Sequence, residues 1–210
     1  MNERSTIECK LNGPYLVRNL EHLKDWRGNR MDAKSVMALC RCGGSANKPF
    51  CDGTHQKNGF SGAMLAGRDS DQRRSYQAKG ITIHDNRSIC AHAGHCTDGL
   101  ASVFKVKSEP WIDASGAAVE AIVETIRRCP SGALSYTLDG NQGEDQQQEP
   151  SITVTKDGPY AVAGAAQLLD QSWAQGASTE HYTLCRCGAS KNKPFCDGAH
   201  WSIGFKDEGR

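Results

Sequence analysis

One stretch of sixteen residues occurs twice in this chain and constrains its fold more than any other feature. The first copy is CRCGGSANKPFCDGTH at residues 40–55, and the second is CRCGASKNKPFCDGAH at residues 185–200. The offset is constant at 185 − 40 = 145 positions, with no insertion or deletion between the copies. Each copy offers three cysteines and one histidine, which is a complete set of four protein ligands for a small metal centre.

The spacing within each copy predicts how such a centre is held. Cysteines one residue apart in an extended segment point in opposite directions, so Cys40 and Cys42 bind one metal ion only if the loop bends after them. Gly43 permits that bend. Cys51 and His55 are four residues apart, so on the first turn of a helix they project from one face. The pattern predicts a loop half-site followed by a helical half-site.

The full pattern, Cys-x-Cys-x2-Ser-x3-Pro-x-Cys-Asp-Gly-(Ser/Thr/Ala)-His, resembles the signature of the CDGSH iron-sulfur domain, the NEET family. Both copies match every fixed position. The resemblance implies two 2Fe-2S clusters, each with one iron on the Cys-x-Cys pair and the other on the later cysteine and the histidine. The implied ligands are Cys40, Cys42, Cys51 and His55 for the first cluster, and Cys185, Cys187, Cys196 and His200 for the second. The ligand types alone also allow a structural Cys3His zinc site in each copy, and that alternative stays open.

The repeat also predicts the domain organisation. With 38% hydrophobic residues and a mean hydropathy of −0.59, the 210-residue chain is poor in core-forming material, which favours several small metal-stapled modules. We expect an α+β protein in which two β-rich modules, 1–66 and 151–210, flank a domain at 75–140 and a polar linker at 141–150. A module of about sixty residues buries too little surface to be stable alone. The resemblance to the NEET family, whose single-motif members form two-fold dimers, implies that the two modules form an intramolecular pseudo-dimer about an approximate two-fold axis. Independent modules joined like beads on a string are the alternative.

Apolar runs beside turn signals predict the strands of the two modules. We expect strands at 15–17 and 36–39 in the first module and at 152–155, 160–162 and 181–184 in the second. Residues 20–34 are expected to be loosely helical or irregular.

The domain between the modules carries three more cysteines. Cys90 and Cys96 lie in the segment CAHAGHC, and Cys129 precedes a proline. Between them, apolar residues recur at helical spacing from Val119 to Ile126, and we expect this helix to end at Cys129 because Pro130 cannot continue it.

This cysteine arrangement resembles the divergent, shortened relatives of the single-cluster bacterial ferredoxins. The resemblance implies that Cys90, Cys96 and Cys129 hold a third cluster. Ala93 stands where a 4Fe-4S ferredoxin has its second cysteine, so three thiolates suit a 3Fe-4S cluster. A 4Fe-4S cluster would need an exogenous ligand, or His92 or His95. Structural cysteines in a domain that has lost its cluster are the alternative.

Charge and composition exclude several functional classes. The net charge is +1 with no basic block, which argues against nucleic acid as a partner, and no stretch reaches membrane-spanning length. The N-terminus has no apolar signal run, so the ten cysteines are interpreted as thiolate ligands in a reducing, cytoplasmic compartment.

The sequence shows no nucleophile-base pair and no glycine-rich nucleotide loop, so we expect no enzymatic activity. The leading hypothesis is electron transfer among redox protein partners by a monomer with an internal two-fold. A histidine ligand raises the reduction potential above that of an all-cysteine plant-type ferredoxin and couples the electron to a proton. A cluster donor or sensor responsive to pH or redox state is the second hypothesis, because protonation of His55 or His200 competes with the metal. A structural zinc protein is the third.

Overall fold

The computed structural model describes residues 4–143, 145 and 147–207, and within them the chain is a mixed α+β protein built mostly of strands. The described strands form three four-stranded sheets. No helix among these residues has both the length and the apolarity needed to cross a bilayer.

The elements follow in chain order. The first module contains strands β1 (Thr6–Cys9), β2 (Tyr15–Arg18), β3 (His22–Asp25) and β4 (Val36–Leu39). The middle domain contains β5 (Arg73–Ala78), β6 (Ile81–Asn86), helices α1 (His95–Gly99) and α2 (Val119–Arg127), β7 (Leu134–Leu138) and β8 (Asn141–Gln142). The last module contains β9 (Ser151–Val154), β10 (Tyr160–Ala163), β11 (Gln167–Leu168), β12 (His181–Leu184) and helix α3 (Ala199–Ser202).

The two outer modules exchange strands. Within the first sheet β2 pairs antiparallel with β1 and β4, and β11 of the last module adds to β1 in parallel. Within the second sheet β10 pairs antiparallel with β9 and β12, and β3 of the first module adds to β9 in parallel. Each outer sheet is therefore completed by a strand from the other module.

Strand β3 corrects the expectation that residues 20–34 are helical or irregular. Its four residues pair with the distant β9, so Leu23 becomes fully buried while its neighbours stay partly exposed. A strand this short carries little local signal, because its stability comes from a partner in the other module.

One hydrophobic core lies between the outer modules and a second lies inside the middle domain. The first core contains side chains of both modules together with Ile89 and Ala133 of the middle domain. The second packs α2 against the sheet of β5, β6 and β7, with Ile83 and Ile122 fully buried. Cys129 packs against both cores, which places the third set of cysteines at the boundary between them.

The described residues of the predicted linker at 141–150 contact other parts of the chain. Strand β8 extends the middle sheet by pairing with β7, and the Asp145 carboxylate accepts a hydrogen bond from the Ser178 hydroxyl at 2.5 Å. Glu144 and Gln146 lie outside the described residues. Most described residues of this segment are exposed, and the strand pairing and the hydrogen bond connect it to both neighbouring domains.

Candidate metal centres

The predicted ligands of the first motif come together two by two. The Sγ atoms of Cys40 and Cys42 lie 3.9 Å apart, and Cys51 Sγ lies 3.4 Å from His55 Nδ1. Two thiolates on one tetrahedral ion would be roughly 3.8 Å apart, and a thiolate and an imidazole nitrogen roughly 3.5 Å. Each pair therefore has the spacing of two ligands bound to a single metal ion.

The second motif repeats this geometry. Cys185 Sγ and Cys187 Sγ are 3.9 Å apart, and Cys196 Sγ and His200 Nδ1 are 3.5 Å apart. Within the described residues, no group of three or more His, Cys, Asp or Glu side chains surrounds one ion position. The donors of each motif are arranged as two pairs, which suits a centre with two metal ions.

The later half-site differs in detail from its prediction. Cys51 and Cys196 precede the helical turn instead of lying on it, because Gly53 and Gly198 take left-handed backbone angles directly before that turn. The turn is a single 3-10 turn over Thr54–Gln56 in the first motif and α3 in the second. The cysteine and the histidine still meet, because the left-handed glycine folds the loop back onto the turn.

The serine and aspartate of each motif brace the cluster loop. Ser45 Oγ donates to the Phe50 carbonyl at 2.7 Å, and Asp52 accepts from the backbone N–H of Ala46 at 2.8 Å and of Thr54 at 3.0 Å. Ser190 and Asp197 make the same contacts in the second motif. These bonds fix the loop on which the four donors are mounted.

Burial makes Cys40 and Cys196 weak acids in the absence of a cation, whereas the hydrogen bond with Cys185 lowers the pKa of Cys187. Burial raises the pKa of Cys40 and of Cys196, while the pKa of Cys185 is raised first by its hydrogen bond with Cys187 and then by burial. A buried thiolate needs a counter-charge, so a bound metal ion would release the protons and take their place. The donor set therefore fits a buried metal centre.

Two tyrosines that sequence reasoning missed connect each motif to the opposite module. Tyr15 donates its hydroxyl to the carbonyls of Cys185 at 2.9 Å and Pro194 at 3.0 Å, and Tyr160 donates to those of Cys40 at 2.9 Å and Pro49 at 3.0 Å. Both tyrosines are fully buried, and their rings meet edge to face at 6.0 Å. The sequence shows that the two tyrosines are 145 positions apart, like the two motifs. It does not show that each tyrosine binds the motif of the other module.

The cluster loops also touch each other directly. A Cβ atom at Gly43 would lie 2.5 Å from the Cys187 carbonyl oxygen, and one at Gly188 would lie 2.6 Å from the Cys42 carbonyl oxygen. Only glycine permits this approach, since both residues also have left-handed φ angles of 74° and 81°. The two ligand loops are therefore in backbone contact.

The three cysteines of the middle domain line one cavity of about 410 Å³. Cys90 follows a 3-10 turn at Arg87–Ile89, Cys96 lies on α1, and Cys129 follows α2, which ends at Arg127, two residues before the predicted end. Burial raises the pKa of the Cys90 thiol to about 11 and also raises that of Cys96. The three thiols converge on a space large enough for a cluster.

The same cavity wall carries the other residues that the sequence singled out. Ala93, His92 and His95 all line it. Cationic side chains also lie on the wall, and Arg87 stacks on the Trp111 ring at 4.9 Å. This lining is suited to the negative charge of an iron-sulfur cluster ligated by thiolates.

Known families match all three parts of the chain. The family described as iron-binding zinc finger, CDGSH type, matches residues 12–56 and 157–201. The chain belongs to this CDGSH family. Between its two CDGSH domains, the family described as divergent 4Fe-4S mono-cluster matches residues 76–139. The tandem CDGSH arrangement with a central divergent cluster domain is thus confirmed, and the protein binds iron-sulfur clusters.

Individual relatives cover a smaller part of this CDGSH protein. It is 40% identical over 63 residues to a protein described as uncharacterized protein YjdI from Escherichia coli strain K12, and to its counterpart from Escherichia coli O157:H7. The matched residues make up 30% of this chain and 83% of each of those proteins. No solved structure matches the chain.

Proposed function

We propose that this protein is an electron carrier with two 2Fe-2S clusters, one on each CDGSH motif, and a third cluster on Cys90, Cys96 and Cys129. The observation that carries the proposal is the backbone contact between the two ligand loops at Gly43 and Gly188. Two redox centres whose ligand loops touch suit the exchange of electrons within one molecule. When bound, the clusters supply one-electron redox chemistry.

The pairing of donors favours 2Fe-2S clusters over single zinc ions at the CDGSH motifs. A Cys3His zinc site needs four donors around one ion, whereas the donors of each motif lie in two pairs and, among the described residues, no three of them surround one ion position. In the middle domain, three cysteines and Ala93 suit a 3Fe-4S cluster, or a 4Fe-4S cluster with one ligand from outside the cysteine set.

We further propose that the outer modules form an intramolecular pseudo-dimer. The reciprocal strand pairs, β3 with β9 and β11 with β1, support an approximate two-fold relation. The reciprocal hydrogen bonds of Tyr15 and Tyr160 support the same relation. In this arrangement one chain supplies both halves of the pseudo-dimer. Its partners are other redox proteins, and electron transfer to them requires no enzymatic site.

The test is metal analysis and spectroscopy of protein purified without oxygen. We expect coloured protein that contains iron and sulfide and lacks zinc, with more iron than two 2Fe-2S clusters account for. Electron paramagnetic resonance should show a three-iron signal before dithionite or a four-iron signal after it. A colourless protein that carries zinc would overturn the electron-transfer function.

A second candidate function, a cluster donor responsive to pH, is favoured by the exposure of one histidine ligand. His55 is partly exposed, whereas His200 is only 4% exposed. An accessible ligand is more readily protonated and lost. Transfer of iron and sulfide to an apo-ferredoxin would favour the donor function, and repeated reduction and oxidation with all iron retained would favour the carrier.

A further inference from the structure

The two CDGSH motifs differ in what covers the glycine before the histidine turn. A Cβ atom at Gly198 would lie 2.4 Å from Cδ2 of His92, whereas nothing lies within 4 Å of the same position at Gly53. Both glycines have the same left-handed backbone, with φ of 82° and 86°. The middle domain therefore packs on the second motif at a place that is open on the first.

Two hydrogen bonds fix this contact on either side of Cys90. Asn192 Nδ2 donates to the Ser88 carbonyl at 2.7 Å, and Trp201 Nε1 donates to the His92 carbonyl at 3.2 Å. The second motif thus holds both ends of segment 88–92, which carries Cys90 at its centre.

The equivalent positions of the first motif have no such contact with the described residues of the middle domain. Asn192 is 2% exposed and also accepts a hydrogen bond from Arg68 Nη1 at 2.9 Å, while Asn47, its counterpart at the 145 offset, is exposed. Trp201, which is itself exposed, is replaced there by Gln56, whose side chain lacks the indole N–H that donates to His92. The sequence repeat is symmetric, but the environment of its copies is not.

The second motif, on which the middle domain packs, is also the one whose ligands are close to those of the middle domain. His92, two residues from Cys90, lies against Gly198, and Gly198 stands between the ligands Cys196 and His200 in the sequence. Cys90 in turn lines the cavity shared with Cys96 and Cys129. Segment 88–92 therefore contacts the second motif on one side and carries a ligand of the middle-domain centre on the other.

We infer that electrons pass between the middle-domain centre and the C-terminal CDGSH centre through segment 88–92. The N-terminal centre would exchange electrons with the C-terminal centre through the loop contact at Gly43 and Gly188. At Gly53, before its histidine turn, it is not covered by the described residues of the middle domain. With clusters held by Cys90, Cys96 and Cys129 and by the second motif, each transfer would move one electron between them, so that one centre would be oxidised and the other reduced. No bond is broken and no further reactant is required. This order rests on the proposed electron-carrier function.

The test compares substitutions at the junction with the same substitutions at the open motif, in the full-length protein with its clusters. Gly198→Ala pushes a methyl group into His92, and Gly53→Ala imposes the same left-handed strain without that contact. Asn192→Ala removes the bond to Ser88, and Asn47→Ala is its control at an exposed position. Iron and sulfide content is measured for every variant.

The readout is the rate at which the middle-domain and CDGSH signals re-equilibrate after rapid partial reduction by dithionite, followed by freeze-quench electron paramagnetic resonance. We expect Gly198→Ala and Asn192→Ala to slow it by at least about tenfold, because small displacements between reacting groups have large effects on rate. Asn47→Ala should stay within about twofold of the wild type, and Gly53→Ala reports the effect of strain alone.

The outcomes separate this inference from the proposed function. Unchanged rates in Gly198→Ala and Asn192→Ala, with full iron content, would overturn the junction while leaving the carrier function intact. Iron that does not change redox state in the wild type would overturn the carrier function itself. If Gly198→Ala loses iron, the comparison of Asn192→Ala with Asn47→Ala decides alone.

Discussion

At the scale of single residues, the crossed tyrosines tie each cluster loop to the opposite module. Tyr15→Phe removes the hydroxyl that donates to the buried carbonyls of Cys185 and Pro194, of which Pro194 still accepts from the Cys185 backbone N–H at 2.8 Å. A lost hydrogen bond of this kind costs about 1–3 kcal/mol. We expect Tyr15→Phe to speed iron loss from the C-terminal centre, and Tyr160→Phe from the N-terminal one, by roughly fivefold or more. The measurement is iron release to a colorimetric chelator.

The control for the tyrosines is Tyr182→Phe. Tyr182 is also buried, but it donates to the Ala166 carbonyl within its own module at 2.6 Å. It should leave the rate of iron release near that of the wild type. To distinguish the two centres, both tyrosine variants are also made in a His200→Cys background, in which the C-terminal centre has its own spectroscopic signal. Faster loss of that signal in Tyr160→Phe than in Tyr15→Phe would contradict the assignment of Tyr15 to the C-terminal centre.

The two histidine ligands should respond differently to acid. Burial, followed by the nearby His92 and Arg186, lowers the pKa of His200, so a proton competes for its nitrogen only at lower pH. We expect two phases of cluster loss between about pH 7 and pH 5, with the N-terminal centre lost roughly threefold to tenfold faster. Visible absorbance at a series of pH values measures both phases.

Substitution assigns the phases of acid loss. His55→Cys should remove the fast phase, His200→Cys should leave it, and each should lower the reduction potential because a thiolate adds negative charge to the centre. A fast phase that persists in His55→Cys and disappears in His200→Cys would show that exposure of the histidine does not control the loss.

At the scale of elements, the sequence predicts what is local. The ligand pairs of both motifs and the helix ending near Cys129 were predicted because spacing and proline chemistry act within a few residues. Strand β3 was not predicted, since its partner β9 lies in the other module. The covering of Gly198 by His92 was equally invisible, because the repeated motif looks the same at Gly53. Local pattern defines each half-site, and long-range pairing defines its surroundings.

The exchanged strands make a testable pair of core positions. Leu23 on β3 and Leu168 on β11 are related by the 145 offset and are 0% and 5% exposed in the shared core. We expect Leu23→Ala and Leu168→Ala each to lower the free energy of unfolding by about 2–5 kcal/mol. Both modules should lose structure in one transition, measured by calorimetry without oxygen.

An exposed leucine provides the control for these core substitutions. Leu11 is 93% exposed, so Leu11→Ala should change the free energy of unfolding by no more than about 0.5 kcal/mol. If Leu23→Ala destabilised only one of two separate transitions, the shared core would not act as a cooperative unit.

At the scale of the whole molecule, the exchanged strands predict that the outer modules stay together without a continuous chain. A protease recognition sequence inserted between Gln147 and Gln148, which are both exposed, would allow cleavage after assembly. We expect the two fragments to elute together in gel filtration with their iron, because β3 remains paired with β9 and β1 with β11. Modules arranged as beads on a string would instead separate after cleavage.

The same cleaved protein can show what holds the halves together. Leu23→Ala and Leu168→Ala combined weaken the core beneath both exchanged strands, so the fragments should dissociate at higher protein concentrations than in the wild type, whereas Leu11→Ala should change nothing. Because each cluster loop is supported by a tyrosine from the opposite module, dissociation should also release iron. Fragments that separate while keeping their clusters would show that each motif is sufficient for its own centre. Retention of iron only in the joined form would make the paired modules, and not the single motif, the unit that holds the clusters.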